Sequence, residues 1–155
     1  MTDTLDPSAL AAGMLQAVPF VRTLGIQFVE VRTDGDSARV TVKLPDAGAV
    51  HNHVGGPHAG ALFTLGETAS GAVLLATFGD QLDRAVPLAV RAQVGYQKLA
   101  LGEVTATARL GRPRADVVAE LDAGGRPEFP VEVEIHRADG AVTATMTVVW
   151  TLRPN

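Results

Sequence analysis

The sequence predicts an α+β fold in which a curved antiparallel β-sheet wraps around one long central helix. Residues 59–78 form about five helical turns of mostly small and apolar residues, a pattern typical of a helix buried on nearly every side. A hairpin pattern precedes this segment, and several alternating strand patterns follow it. A chain of 155 residues is long enough for one domain with a substantial core, so we expect a single domain over residues 1–155.

The N-terminal segment, residues 1–22, is predicted to be helical. Pro7 and Ser8 follow Asp6, an order typical of a helix start, and the apolar residues behind them recur at helical spacing. Pro19 is expected to end this helix or to bend it.

Two strands joined by a tight turn are predicted next. The first begins after Gly25 and is partly apolar on both faces, which a bulge near Phe28 would explain. The second, residues 38–44, alternates cleanly, and the turn at residues 33–36 contains a glycine where a positive φ is favoured. A loop rich in Gly, Asn, His and Pro then leads to the central helix, which we expect over residues 58–79.

The second half of the chain is mostly strand. Within it, Val117, Val118 and Leu121 fit a short helix that ends near Gly124, with a strand as the alternative. A curved open sheet leaves an edge strand exposed, and pairing with a second copy covers such an edge. We therefore expect a homodimer, and leave open whether two dimers form a homotetramer. The predicted strands cover residues 88–98, 103–110, 131–136 and 142–152.

Composition excludes several classes of function. The net charge of −4 comes without any dense cluster of Lys and Arg, which argues against nucleic acid as a partner. The chain has no cysteine, so disulfides, thiolate catalysis and cysteine-based metal sites are excluded. We expect no membrane partner, because no apolar run of about 18 residues is evident, and we expect a cytoplasmic location, because the N-terminus lacks the pattern of a signal peptide.

The most informative segment is residues 51–71, HNHVGGPHAGALFTLGETASG. It begins with a histidine-rich Gly/Pro turn and continues into the central helix, where Glu67 stands among apolar residues. Burial disfavours the charged form of a carboxyl group and raises its pKa, which suits a general base. Small residues at the helix start leave backbone N–H groups open to a negatively charged ligand.

This segment carries a resemblance to a known family. The pattern N-x-x-G-x-x-H-[GA]-G at residues 52–60, followed by an acid inside the helix, resembles the hotdog-fold acyl-CoA thioesterases of the PaaI-like group. The wording HAGALFTLGETASG is similar to a bacterial branch of that group carried as a domain of unknown function. The resemblance extends from about residue 25 to 152, and it implies hydrolysis of an acyl-CoA thioester with no cofactor apart from the coenzyme A of the substrate.

The resemblance also implies roles for individual residues. Glu67 falls where the family places its catalytic acid, as general base or nucleophile. Asn52 matches the residue that positions the water or the thioester, and His58 matches a positioning histidine. The backbone N–H of Ala59 would polarise the thioester carbonyl, and Gly60 matches the small residue beside the acyl chain.

The chain departs from the family pattern at one place. Many relatives carry a Ser or Thr on the strand after the helix to hold the water, and the matching position here is Ala89. Ser70 or Thr68 could take that place. Lys98 and Arg112 are candidates to bind the phosphates of coenzyme A, with a solvated surface as the alternative.

The spacing along the helix predicts how a site would be assembled. Glu67 lies eight residues beyond Ala59, about 12 Å at roughly 1.5 Å per residue, so one subunit cannot bring both to one carbonyl. We therefore expect two sites per dimer, each built from both subunits. Small residues such as Gly56 are expected to let the substrate approach closely, and His53 is a further candidate to bind it.

Several alternatives remain open at this stage. Glu67 could instead pair with an arginine such as Arg91, and Tyr96 is expected in the core or an interface. His51, His53 and His58 could hold zinc, but their spacing matches no recognised site, and we expect no metal. Two other functions fit the same fold. One is a hydratase or dehydratase that pairs His53 with Glu67, and the other is an acyl-CoA or fatty-acyl binding module without turnover.

Overall fold

The computed structural model describes residues 3–155 and confirms one antiparallel sheet packed around a central helix. Within these residues seven strands form the sheet in the order β1-β2-β3-β5-β6-β7-β4. The strands are β1 Asp3–Leu5, β2 Gln27–Thr33, β3 Ala38–Leu44, β4 Ala85–Tyr96, β5 Val104–Leu110, β6 Glu128–Arg137 and β7 Val142–Pro154. The helices are α1 Pro7–Ala17, α2 Pro19–Thr23, α3 Ala59–Phe78 and α4 Arg114–Asp122, with short 3₁₀ helices at Gly48–Val50 and Gly79–Gln81.

Local sequence signals account for the N-terminal helices. The carboxylate of Asp6 accepts a hydrogen bond from the backbone N–H of Ser8 at 2.9 Å, and Pro7 occupies the first turn of α1. Pro19 separates α1 from α2, as predicted. The start of the segment differs from the helix expected over residues 1–22. Asp3–Leu5 forms a strand against β2, because an extended stretch without helical periodicity can pair with that open edge, and residues 1–2 lie outside the described part.

Two predictions about irregular segments are confirmed. The pairing of β2 with β3 shifts register between Phe28 and Glu30, which is the bulge expected there. Residues 114–122 form the helix α4 and not the alternative strand. Gly124 follows this helix with a φ of 81°, a conformation that glycine adopts at little cost after a helix end.

The core lies between α3 and the sheet. Helix α3 contacts β2, β3, β5, β6 and β7, so the sheet curves around it. Leu65, Ala69 and Val73 are spaced four residues apart on one stripe and are completely buried. A Cβ atom at Gly66 would lie 2.7 Å from the Sδ of Met146 on β7, so glycine there lets the helix approach the sheet closely.

Helix α3 and the turn after it are long and apolar enough to cross a membrane by length and composition alone. This corrects the expectation that no segment of the chain would reach that limit. Most of these residues are buried inside the protein, and the core helices of folded domains pass the same test. The high hydropathy of α3 is therefore explained by its burial against the sheet.

The two edges of the sheet are very different. Strand β1 is three residues long, whereas β4 is twelve residues long and pairs only with β7. Most of β4 is exposed, and its exposed side chains include the apolar Leu88 and Val90. A long apolar edge is a template for pairing with another strand.

Candidate active site

Asn52 shapes the turn that leads into α3. Its Oδ1 accepts hydrogen bonds from the backbone N–H groups of Val54 at 3.0 Å and Gly56 at 3.3 Å. Its Nδ2 donates to the carbonyl of Pro57 at 3.4 Å. An amide nitrogen carries two hydrogens, so Asn52 holds the turn together and still has a donor to offer a ligand.

Gly56 is buried beneath this turn. A Cβ atom at this position would lie 2.1 Å from the carbonyl oxygen of Ala100, closer than any side chain can approach. We expected Gly56 to let a substrate approach. The structure gives it a different task, because its missing side chain lets the loop before α3 pack on the loop after β4.

His58 caps the N-terminus of α3. Its Nδ1 accepts a hydrogen bond from the backbone N–H of Gly60 at 2.8 Å, so the neutral ring carries its proton on Nε2. A Cβ atom at Gly60 would come within 3.1 Å of the same Nδ1. Glycine at position 60 therefore leaves room for the imidazole ring, and His58 positions the first turn of the helix.

The capping bond decides which amide of the first turn is free. The N–H of Gly60 is taken by His58, whereas no described residue accepts a hydrogen bond from the N–H of Ala59. Ala59 is also exposed. Because the start of a helix carries a partial positive charge, this N–H is suited to hold an oxyanion. Of these two amides, only that of Ala59 is free for this task.

A cleft of about 360 Å³ opens beside Ala59, between the loop before α3 and the segment after β4. Three of the predicted site residues, Asn52, Ala59 and Lys98, line it together, and we call it the Lys98 cleft. Tyr96 lines it too, and its hydroxyl donates to the carbonyl of Ala59 at 3.0 Å. We expected Tyr96 in the core or an interface, but in this chain it is half exposed and lies at the cleft.

Glu67 lies about two turns further along α3 and is half-buried. Its side chain makes no hydrogen bond or ion pair with any described residue, and the predicted alternative of a pair with Arg91 is wrong, because Arg91 binds Glu128 at 3.1 Å. Burial raises the pKa of Glu67 above its ordinary value of 4.5, because desolvation disfavours the charged form. The carboxyl group is thus free to act on a ligand.

The two hydroxyl groups next to Glu67, those of Ser70 and Thr68, differ in their hydrogen bonding. Ser70 Oγ donates to the carbonyl of Glu67 at 2.7 Å and accepts from the Nε1 of Trp150 at 3.0 Å. Thr68 is buried, and its hydroxyl has no hydrogen-bond partner within the described chain. Ala89 on β4 pairs with Trp150 on β7, the residue that binds Ser70. Of the two hydroxyl groups that could replace the Ser or Thr of the family pattern, only that of Thr68 is unpartnered.

Two predicted substrate-binding residues do not join the Lys98 cleft. Arg112 forms an ion pair with Glu120 at 2.8 Å and donates to the carbonyl of Glu128 at 3.1 Å. These contacts tie α4 to β6, and Arg112 is not among the residues that line the Lys98 cleft. His53 is exposed on the turn after Asn52 and is not part of the cleft lining.

The histidines of the loop do not form a metal site. The Nε2 of His51 lies 2.6 Å from the Oδ1 of Asp46, so this ring nitrogen is already engaged in a hydrogen bond. Among the side chains of residues 6–155, no three His, Asp or Glu groups lie close enough together to hold a metal ion. The alternative of zinc bound by His51, His53 and His58 therefore has no structural support.

The burial of Glu67 predicts a pH dependence of stability. Its pKa is close to 4.5 in the unfolded chain and higher in the folded protein. The folded state binds more protons between these two values, so the free energy of unfolding falls as the pH rises through that window. We expect urea unfolding at fixed protein concentration to show this fall in the wild type relative to Glu67→Gln, starting near pH 4.5 and levelling off above the folded pKa.

Comparing the wild type with Glu67→Gln removes the effects of other carboxyl groups. Hydrogen bonds lower the pKa of Asp6, Asp80 and Asp139, which makes stability rise with pH, but both proteins contain these residues. Their contributions cancel in the difference between the two proteins. A difference that stays constant across the whole pH range would show that Glu67 is not desolvated.

Comparisons with known proteins identify the family and the fold. Residues 7–152 match the family described as a domain of unknown function (DUF4442). No curated protein matches the chain in sequence. A Pseudomonas aeruginosa protein described as of unknown function and a probable thioesterase is 26% identical, with 97% of each chain covered and a TM-score of 0.80.

Two further solved structures share the fold at lower identity. A thioesterase family protein from Silicibacter pomeroyi is 21% identical, with 97% of this chain and 100% of that chain covered and a TM-score of 0.72. The E. coli PaaI protein from the phenylacetic acid degradation operon is 17% identical, with 95% and 92% covered and a TM-score of 0.70. The predicted hotdog fold is thereby confirmed. The chain belongs to the DUF4442 family and shares the hotdog fold of the PaaI-like thioesterases.

Proposed function

We propose that this protein is an acyl-CoA thioesterase that works as a homodimer with two shared active sites. The observation that carries the proposal is the pair of unpartnered groups on α3, the N–H of Ala59 and the half-buried carboxyl group of Glu67. Hydrolysis of a thioester needs a donor for the oxyanion and a base or nucleophile. The similarity to a probable thioesterase at 26% identity supports the same class of reaction.

The distance between the two groups supports a site shared between subunits. Glu67 is eight residues beyond Ala59, which corresponds to about 12 Å along the helix at roughly 1.5 Å per residue. A carboxyl group that far away cannot reach a carbonyl held at the start of its own helix. A two-fold dimer solves this, because it can set each Glu67 against the first turn of the other subunit's α3.

The orientation of Glu67 supports pairing through β4. Residues three and four apart share a helix face, so Glu67 lies on the same face as Ser70 and Gly71. Ser70 binds Trp150, and a Cβ atom at Gly71 would lie 3.5 Å from the same ring. Trp150 pairs with Ala89 on β4. Glu67 therefore faces the side of the sheet that ends in the exposed edge, where a second copy would bind.

The chemistry then follows two possible routes from one bound thioester. In the first, Glu67 takes a proton from water, the water oxygen adds to the carbonyl carbon, and the C–S bond breaks as the leaving thiolate is protonated. In the second, the carboxylate itself attacks and expels the thiolate, and water cleaves the resulting mixed anhydride. Both routes release a carboxylic acid and coenzyme A, both place the oxyanion at the N–H of Ala59, and Lys98 offers a cation for the phosphates.

Incubation of the purified protein with a panel of acyl-CoA esters and a thiol reagent tests the proposal. We expect free coenzyme A to be released from at least one ester well above the rate without protein. Water addition to an enoyl-CoA without release of coenzyme A would identify a hydratase instead. Tight binding of an acyl-CoA without turnover would identify a binding module, the alternative that the absence of a hydroxyl at Ala89 favours. Either of these results would overturn the proposal.

A further inference from the structure

A second cleft lies on the other side of the first turn of α3. It has a volume of about 450 Å³, within the range of small-molecule pockets. Helix α2 forms one wall, the 3₁₀ helix before the turn forms another, and α3 forms the third. Its lining includes Phe20, Leu24, Ala49, Val50, Ala61 and Thr64. We call this space the Phe20 cleft.

The chemistry of the Phe20 cleft differs from that of the Lys98 cleft. No Asp, Glu, Lys or Arg of the described chain lines it. The hydroxyl of Thr64 is already satisfied, since it donates to the carbonyl of Gly60 at 2.9 Å. His51 lines the cleft too, and its Nε2 lies 2.6 Å from the Oδ1 of Asp46. His58 is the other polar lining residue, with its Nδ1 engaged by the N–H of Gly60 and its Nε2 left as a donor. The cleft therefore offers a mostly apolar surface without an acidic side chain, a lysine or an arginine in its lining.

The two clefts meet at the group that would hold the thioester. Ala59 lines the Lys98 cleft, and the next residues, Gly60 and Ala61, line the Phe20 cleft. A carbonyl oxygen bound to the N–H of Ala59 would thus lie between the Lys98 cleft, which offers a cation, and the apolar Phe20 cleft. The acyl and thiol parts of a thioester leave the carbonyl carbon in different directions, so each part can occupy one cleft.

We infer that the Phe20 cleft binds the acyl group, that Phe20 and Ala49 determine its length and polarity, and that the substrate carries an uncharged, apolar acyl group larger than acetyl. This inference rests on the proposed function. An apolar chain gains about 25 cal/mol for each Å² of surface that it buries. A chain that ends in a carboxylate would have to lose hydration without meeting a cation, which is unfavourable.

Two substitutions of exposed residues test the assignment. Ala49→Trp fills the cleft, and Phe20→Arg places a cation in it; both positions are exposed, so a larger side chain needs no rearrangement of the core. The matched control is Ala12→Trp, an exposed alanine on α1 away from the cleft. We compare kcat/KM for acetyl-CoA, octanoyl-CoA and octanedioyl-CoA, the last having the same chain length with a terminal carboxylate.

The wild type and Ala12→Trp should prefer octanoyl-CoA to both other esters by about tenfold or more, since one methylene in an apolar pocket already changes kcat/KM by about tenfold. Ala49→Trp should lower the ratio of octanoyl to acetyl hydrolysis by about tenfold. Phe20→Arg should shift the preference toward octanedioyl-CoA. Hydrolysis with ratios that neither variant changes would overturn the inference while leaving the proposed function intact.

A binding measurement separates failure of the inference from failure of the proposed function. If the wild type hydrolyses no ester, the proposed function is wrong, and calorimetric titration with octanoyl-CoA then tests the cleft alone. Binding that Ala49→Trp weakens by about tenfold, and Ala12→Trp does not, would still support the acyl site. Equal binding by both variants, or no binding by the wild type, would overturn it.

Discussion

Replacing Glu67 by glutamine is expected to lower kcat for thioester hydrolysis by about 10²- to 10⁴-fold, the loss typical of removing a general base. The amide has nearly the same shape as the carboxyl group but can neither take a proton from water nor attack a carbonyl carbon. No described residue depends on this carboxyl group for a hydrogen bond or an ion pair, so the fold should not suffer. Steady-state release of coenzyme A from the best ester of the panel measures the effect.

Two further observations distinguish a catalytic loss from a structural one. The melting temperature of Glu67→Gln at neutral pH should equal or exceed that of the wild type, because a desolvated charge has been removed. The control Glu103→Gln should keep full activity, because Glu103 is exposed and only contacts Lys43 at 3.5 Å, a pair of little energetic value. Full activity of Glu67→Gln would exclude Glu67 as the base or nucleophile.

Mixing two inactive variants is expected to restore activity if the site is shared between subunits. Ala59→Pro removes only the backbone N–H, because proline is tolerated at the first position of a helix. The preceding residue, His58, already has the extended conformation that proline requires before it, with φ −60° and ψ 143°. Loss of one oxyanion donor lowers kcat by about 10²- to 10³-fold. Ala59→Pro alone should therefore be nearly inactive and remain folded.

Co-expression of Ala59→Pro with Glu67→Gln forms mixed dimers. In a mixed dimer, one site combines the intact Glu67 of one subunit with the intact Ala59 of the other, and the second site carries both defects. With random pairing, about a quarter of the sites are then intact, so about a quarter of wild-type activity should return. Mixed preparations that stay as inactive as the separate variants would show that the sites are not shared.

A reciprocal mixture provides the control for this experiment. Wild-type chains co-expressed with chains that carry both substitutions should retain about a quarter of full activity if sites are shared, and about half if each site lies within one subunit.

Size-exclusion chromatography of Val90→Arg, which places a charge on the exposed edge strand β4, tests whether the dimer forms through this edge. This variant should be monomeric and inactive.

Much of the fold could be predicted from the sequence because its signals are local. The small and apolar residues of 59–78 predict a buried helix, and the structure has that helix at Ala59–Phe78. A break in strand periodicity predicts the bulge near Phe28, and the glycine after Leu121 predicts the end of α4. Each of these features depends on neighbours within a few residues, which periodicity and turn chemistry encode directly.

The candidate site was predictable only in part. The sequence indicates Asn52, Ala59 and Lys98, and the structure brings these three together in one cleft. It contains no signal that Tyr96 would bind the carbonyl of Ala59, because the partners are 37 residues apart. Similarly, the resemblance does not reveal that Arg112 is held by Glu120 and the carbonyl of Glu128.

By itself, then, the sequence determined the type and approximate length of nearly every element, the family, and the isolated acid on the central helix. Only the tertiary structure decided which groups remain free to act. The Nε1 of Trp150, 80 residues further along the chain, donates a hydrogen bond to the hydroxyl of Ser70. The Nδ1 of His58 accepts a hydrogen bond from the N–H of Gly60, so of these two neighbouring amides only that of Ala59 stays free. Strand order likewise leaves β4 at an open edge. The physical reason is that each polar group is satisfied by whichever partner the fold brings near it, and residue spacing does not specify that partner.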